Sequence, residues 1–87
     1  MKTYRLVISS PDGDLYNGEA VSFSARGVEG ELAILADHVP FVTAIKAGKC
    51  VVELENEIKK EARTDGGILT VSKEKTVFLS GTFEWIE

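Results

Sequence analysis

Apolar and polar residues alternate along most of this chain. Turn signals cut the alternation about every 8–12 residues, which is the pattern of an all-β sandwich or barrel. Tyr4, Leu6 and Ile8 share one face of a strand, with Thr3, Arg5 and Val7 on the other. Val21, Phe23 and Ala25 alternate with Ser22, Ser24 and Arg26, and Phe41, Thr43 and Ile45 alternate with Val42, Ala44 and Lys46. Leu69 and Val71, then Val77 and Leu79, then Phe83 and Trp85 continue the series as expected inward positions. The expected turns are Pro11-Asp12-Gly13, Asn17-Gly18, Gly27 to Gly30, Asp37 to Pro40, Ala47-Gly48, Asp65-Gly66-Gly67 and Lys73-Glu74-Lys75. Nine Val, six Ile and six Thr among the 87 residues favour strands through their branched side chains.

One segment fits two structures. Between Glu53 and Arg63, Leu54, Ile58 and Ala62 recur every four residues, as on one helix face, and Glu55 and Lys59 would pair at i,i+4. The competing reading is a hairpin, 49–54 and 58–64, turned around Glu55-Asn56-Glu57. Local propensity leaves both open.

Size and charge narrow the function classes. A chain of 87 residues has room for one core, read here as a single domain over 1–87. Its longest uncharged runs, His38 to Ile45 and Thr76 to Phe83, are far short of the ~20 residues a membrane helix needs. A net charge of −4 argues against an electrostatic grip on nucleic acid or on an anionic membrane. The first residues carry no long apolar stretch behind their positive charges, so no targeting leader is expected. Cys50, the one cysteine, excludes an internal disulfide and reads as a small buried hydrophobe.

Catalytic patterns are missing. His38 is the only imidazole, and no Gly-x-Ser-x-Gly elbow is present. One Cys and one His do not make a zinc site. Asp12-Gly13-Asp14 lacks the further oxygen ligands of a calcium loop, and Gly27 to Glu31 lacks the Lys-Ser/Thr of a phosphate loop. The residues therefore point to an interaction domain with no cofactor. A free-standing peptide- or sugar-binding sandwich is the second reading, with Tyr4, Tyr16 and Trp85 as its candidate aromatic platforms.

The ordered block Gly27-Val28-Glu29-Gly30-Glu31-Leu32-Ala33-Ile34-Leu35-Ala36-Asp37-His38-Val39-Pro40-Phe41-Val42-Thr43-Ala44-Ile45-Lys46-Ala47-Gly48 resembles the signature of the epsilon subunit of F-type ATP synthase. The opening Tyr4-x-Leu6 strand, Ser10-Pro11-Asp12-Gly13 and Tyr16-x-Gly18 resemble the family's start, and Gly66-Gly67-Ile68-Leu69-x-Val71 with Thr76-Val77-x-Leu79 resembles its last strands. Three positions depart from the family pattern: Ala36-Asp37 stands for Pro-Gly before the His, and Ala33 for a common Gly.

The resemblance implies a flattened ten-stranded β-sandwich of two sheets, and tips residues 49–64 toward the hairpin. It implies a non-catalytic rotor subunit of the central stalk. Such a subunit binds the gamma subunit and the c-subunit ring, touches the catalytic ATPase head indirectly, and couples ion flow to ATP synthesis. It implies c-ring contacts at Glu31 and His38, expected in neighbouring loops at one end of the sandwich. Gamma contacts fall at Ser10, Val42 and Thr43, and backbone turns at Gly30 and Gly48. It further implies peripheral attachment, through partners, at the cytoplasmic face of a bacterial inner membrane. The family's C-terminal helical hairpin, with its inhibitory and ATP-binding roles, is not expected, because Thr76 to Glu87 is read as the last strand region.

Overall fold

The computed structural model describes residues 2–86, so the two ends of the single domain read over 1–87, Met1 and Glu87, lie outside the described residues. Eight strands follow in order: β1 (Tyr4–Ser10), β2 (Gly13–Ala20), β3 (Ser22–Gly27), β4 (Gly30–Leu35), β5 (Phe41–Leu54), β6 (Ile58–Val71), β7 (Thr76–Ser80) and β8 (Phe83–Ile86). A tight turn, Glu55–Glu57, joins β5 to β6. Residues 49–64 therefore form the hairpin, and the helix alternative is overturned. Cys50 pairs with Ala62 and Leu54 with Ile58 across the two strands. The i,i+4 spacing lost because burying Cys50, Val52 and Ala62 needs a period of two, and those three are buried where Ile58 is exposed.

β5 and β6, each 14 residues long, fold over together. Their ladder runs through Lys46↔Gly66, skips Ala47 and Asp65, and resumes at Gly48↔Thr64. Each long strand thus serves two sheets. One sheet is β2-β1-β7 followed by the second half of β6 and the first half of β5. The other is β8, the first half of β6, the second half of β5, then β3 and β4. Eight strands with two used twice give the ten segments expected of the sandwich.

Polar side chains hold the corner. The Gly66 amide donates to Thr64 Oγ1 at 3.0 Å, Thr64 and Ser80 hydroxyls meet at 2.6 Å, and Ser80 Oγ donates to the Thr82 carbonyl at 2.8 Å. Asp65 Oδ1 accepts from the Thr82 amide at 2.9 Å. Gly66 is required there: its φ is +110°, and a Cβ would lie 2.7 Å from the Ile45 carbonyl oxygen.

The core lies between the sheets, with Leu6, Ile8, Phe23, Ile34, Val52, Leu69 and Phe78 fully enclosed. Two sequence expectations fail. In β7 the inward residues are Thr76, Phe78 and Ser80, and Leu79 faces out, 53% exposed. Phe78 fills the centre of the sandwich, so its smaller neighbours take the flanking inward sites, and Ser80 satisfies its hydroxyl at the corner. Asn17-Gly18 is no turn: Asn17 pairs with Val7 and Gly18 with Leu6 inside β2. The chain turns instead at Val21, whose amide donates to the Glu53 carbonyl at 2.7 Å.

Candidate partner-binding surface

Cross-strand register builds one apolar face on the outside of the first sheet. One row reads Val42, Thr70, Val77, Val7, and the next reads Ala44, Ile68, Leu79, Ser9. Val42 is 66% exposed, Leu79 53% and Ile68 46%, with Val7 and Val77 half-buried beside them. The rows stay uncharged across β5, β6, β7 and β1 and turn polar at β2, where Asn17 follows Val7 and Asp14 follows Ser9 and accepts from its hydroxyl. Exposed apolar side chains clustered on a flat face mark a partner surface, whereas scattered ones do not. The second sheet is mixed: Arg26 faces Glu31, Glu53 faces Lys59, and Lys49 pairs with Glu61 at 2.9 Å, while Leu35, Ile58 and Ile86 are exposed on its strands.

Of the sequence-named residues, Val42 lies at the centre of the apolar rows. Thr43 is opposite the enclosed Leu69, so its side chain turns inward and is half-buried. Ser10 closes the β1–β2 turn, where its hydroxyl accepts from the Asp12 amide at 3.3 Å. Val7 lies on the face opposite Leu6 and Ile8, as expected, whereas Ile68, Leu79 and Val77 were missed as surface residues. The sequence carried no local signal for them, because Val77-Phe78-Leu79 puts apolar residues on both faces of β7.

Glu31 and His38 do not share neighbouring loops. β4 runs between them, and Glu31 to Leu35 alone spans about 13 Å of extended chain. Glu31 is exposed at the β3–β4 turn, where Gly30 has a φ of +130° and the Val28 amide donates to the Ala44 carbonyl at 3.2 Å. Ser10 lies at this same end, beside the partner pair Ser9↔Leu79. His38 is at the other end, with the start of β1 and the Ser72–Lys75 turn, around an open cleft of about 770 Å³. Its ring stacks on Phe41 at 4.9 Å, and its Nδ1 lies 2.8 Å from the Val39 carbonyl oxygen. Gly48, read as a turn, instead lies inside β5 paired with Thr64, and Asp65-Gly66-Gly67 lies inside β6; the chain bends there without ending either strand.

Two side-chain pairs form within the cleft. Lys2 bonds Asp37 at 2.5 Å, which raises the Lys2 pKa, and Thr3 donates to Glu19 at 2.8 Å. Tyr4 is raised by burial and donates to the Ile34 carbonyl at 2.8 Å. Burial likewise pushes the Cys50 thiol up to about 11, so the thiol is neutral. Among the described residues no group of three His, Cys, Asp or Glu is placed to hold a metal ion. The aromatic candidates offer no open platform: Tyr4 is hydrogen-bonded at the sandwich end, while Trp85 lies under Lys60 and edge-on to Phe83 and Tyr16.

Two sheets joined by one folded hairpin, with an apolar face on the outside of one of them, define a small β-sandwich interaction domain. The chain belongs to the ATP synthase delta/epsilon chain β-sandwich domain family, which it matches over residues 3–86. It is 36% identical over 86 residues to the sodium ion specific ATP synthase epsilon chain of Acetobacterium woodii, covering 99% of this chain and 65% of that one. It is also 36% identical over 84 residues to the ATP synthase epsilon chain of Alkaliphilus metalliredigens, covering 97% of this chain and 62% of that one. The chain thus spans just under two thirds of the length of these curated relatives. Among solved structures, a chain of the Euglena gracilis mitochondrial ATP synthase OSCP/F1/c-ring assembly superposes with a TM-score of 0.90 at 21% identity, over 95% of this chain and 53% of that one. A chain of the Tetrahymena thermophila mitochondrial ATP synthase central stalk/c-ring gives 0.77 at 13% identity, over 94% and 66%. At these identities the likeness is one of fold.

Proposed function

We propose that this chain is a non-catalytic rotor subunit of an F-type ATP synthase, binding a gamma subunit and the c-subunit ring to couple ion flow to ATP synthesis. Family membership supports the assembly. The observation that carries the gamma contact is the apolar outer face with Val42, Ile68 and Leu79 exposed together. Burying such a patch supplies the dry centre of a stable interface, while Ser10 and Thr43 act at its margin through the turn and strand they hold. Glu31, with Glu29 on the same exposed turn, is the group offered to polar loops of the c ring. His38 serves by fixing its own loop. Attachment to the membrane is then peripheral and indirect, at the cytoplasmic face of a bacterial inner membrane.

The test is co-purification of the folded chain with its cognate gamma subunit. Retention of a stoichiometric complex supports the reading, and loss of all gamma binding by a chain shown to be folded overturns it. For the ring contact, Glu31→Ala in reconstituted enzyme should weaken coupling between ion flow and ATP turnover while gamma binding persists.

A further inference from the structure

The second sheet ends on an open edge. Among the described residues β4 pairs with β3 alone and is the last strand of its sheet. The two-residue turn Val28-Glu29 closes the β3–β4 hairpin on the pair Gly27↔Gly30, and pairs that exchange both backbone bonds alternate from there with pairs that exchange none. Ala25↔Leu32 and Phe23↔Ile34 exchange bonds, whereas Arg26↔Glu31, Ser24↔Ala33 and Ser22↔Leu35 do not. The backbone groups of Glu31, Ala33 and Leu35 therefore point away from β3, and all three residues are exposed. The Leu35 carbonyl is already taken by the His38 amide at 3.3 Å, which leaves the three amides and the carbonyls of Glu31 and Ala33 open.

The other strand edges are guarded. β2 carries Asp14 and Glu19 and breaks register with β1 between Ile8 and Ser9. β8 has only four residues. The first half of β5 follows Pro40, and its Ala44 carbonyl accepts from the Val28 amide at 3.2 Å. β4 has six residues, no proline, and a single charge at Glu31.

We infer that β4 is a pairing edge for a second copy of this chain, joined antiparallel about a two-fold axis at Ala33. The occupant follows from self-complementarity. In this register each copy donates from the Ala33 and Leu35 amides and accepts at the Ala33 and Glu31 carbonyls, so every open carbonyl of the edge is used. Glu31 then faces Leu35 of the second copy and not another carboxylate, and the half-buried Leu32 packs against Ile34 of the second copy. An axis at Glu31 would set two carboxylates opposite one another. An axis at Leu35 would need the carbonyl that the His38 amide holds. The apolar face of the first sheet stays open in this pairing, so the inference stands apart from the functional reading above.

One strand edge makes a small interface, so the copies should exchange, with a dissociation constant on the order of 100 µM. Sedimentation equilibrium of the free full chain should show its mass rising from one copy toward two across that concentration, and a single-copy mass well above it overturns the inference. Ala33→Pro removes an amide that β3 does not use and should abolish the rise. Ala33→Lys keeps that amide but sets like charges opposite one another at the axis, and should weaken association about two- to fivefold; it carries the test if Ala33→Pro does not fold. Folded Ala33 variants that associate like wild type overturn the inference. So does a loss of association in Leu79→Asp, which would put the second copy on the first sheet. Disulfide formation reads the register. Ala33→Cys should link two copies on oxidation, because paired Cα atoms about 5.5 Å apart are within a disulfide's reach. Glu31→Cys, displaced by about 13 Å along the strands from its counterpart, should not link. Cys50 is buried and does not compete. Equal linking by the two variants contradicts the pairing about Ala33.

Discussion

The rings of Phe23 and Phe78 meet across the sandwich with centroids 5.5 Å apart and planes tilted by 41°. One belongs to β3 and the other to β7, so this contact joins the two sheets. It also fixes which face of β7 is inward. Phe78→Ala is expected to cost about 3–5 kcal/mol in urea unfolding, because it deletes an enclosed ring. Leu79→Ala should stay within about 0.5 kcal/mol, as surface changes do. A large cost at Leu79 and a small one at Phe78 would reverse the assigned face.

Gly67→Ala should be severely destabilising. A Cβ there would lie 1.9 Å from the Leu79 carbonyl oxygen, inside the β6–β7 pairing. Backbone must move to admit it, since no flexible side chain can give way. Loss of cooperative thermal unfolding, or failure to recover soluble chain, is the expected result. Gly13→Ala is a useful control for the turn conformation alone, because nothing lies within 4 Å of its would-be Cβ although its φ is +126°.

Stability should fall as the pH rises from 9 toward 11. Burial pushes the Cys50 thiol up to about 11 from an ordinary 9.0. Between those values the unfolded thiol has released its proton and the folded one retains it. The unfolded state therefore binds fewer protons, and folding weakens with rising pH. Cys50→Ala should flatten this slope, measured by urea unfolding across that window. Tyr4, also raised by burial from an ordinary 10.0, adds a decline of the same sign that begins near pH 10, so the Cys50 contribution is read most cleanly between pH 9 and 10.

The tip of the long hairpin carries strain. Asn56 and Glu57 have φ values of +66° and +61°. Asn tolerates that region; Glu does so poorly. Glu57→Gly is expected to raise stability, by up to about 1 kcal/mol. A loss of stability would mean that the Glu57 side chain makes a contact outweighing its backbone cost.

Much of the fold was legible because burial has a period of two in β1, β3, the first half of β5 and β8. Tyr4, Phe23, Ile45 and Phe83 all face the core as the alternation requires. β7 misled because apolar residues occupy both of its faces, and alternation cannot say which of Val77-Phe78-Leu79 faces in without the opposing sheet. Asn17-Gly18 misled because a turn dipeptide can remain in a strand when its neighbours pair on both sides of it. The surface was less legible than the fold. The motif puts Glu31 and His38 seven residues apart, but β4, a strand of six residues, holds them at opposite ends of the sandwich. Val42 could be found from its motif, whereas Ile68 and Leu79 join it only through register between strands distant in sequence.

The most direct measurement of the central claim is the affinity of the full chain for its gamma subunit with one charge placed on the apolar face. Leu79→Asp should lower that affinity by at least tenfold, because a desolvated carboxylate would face an apolar partner. Its unfolding free energy should stay near that of wild type, since Leu79 points to solvent. Glu84→Lys, on the opposite outer face, should bind as wild type does. Equal affinity of the Leu79→Asp and wild-type chains, both folded, would contradict the account.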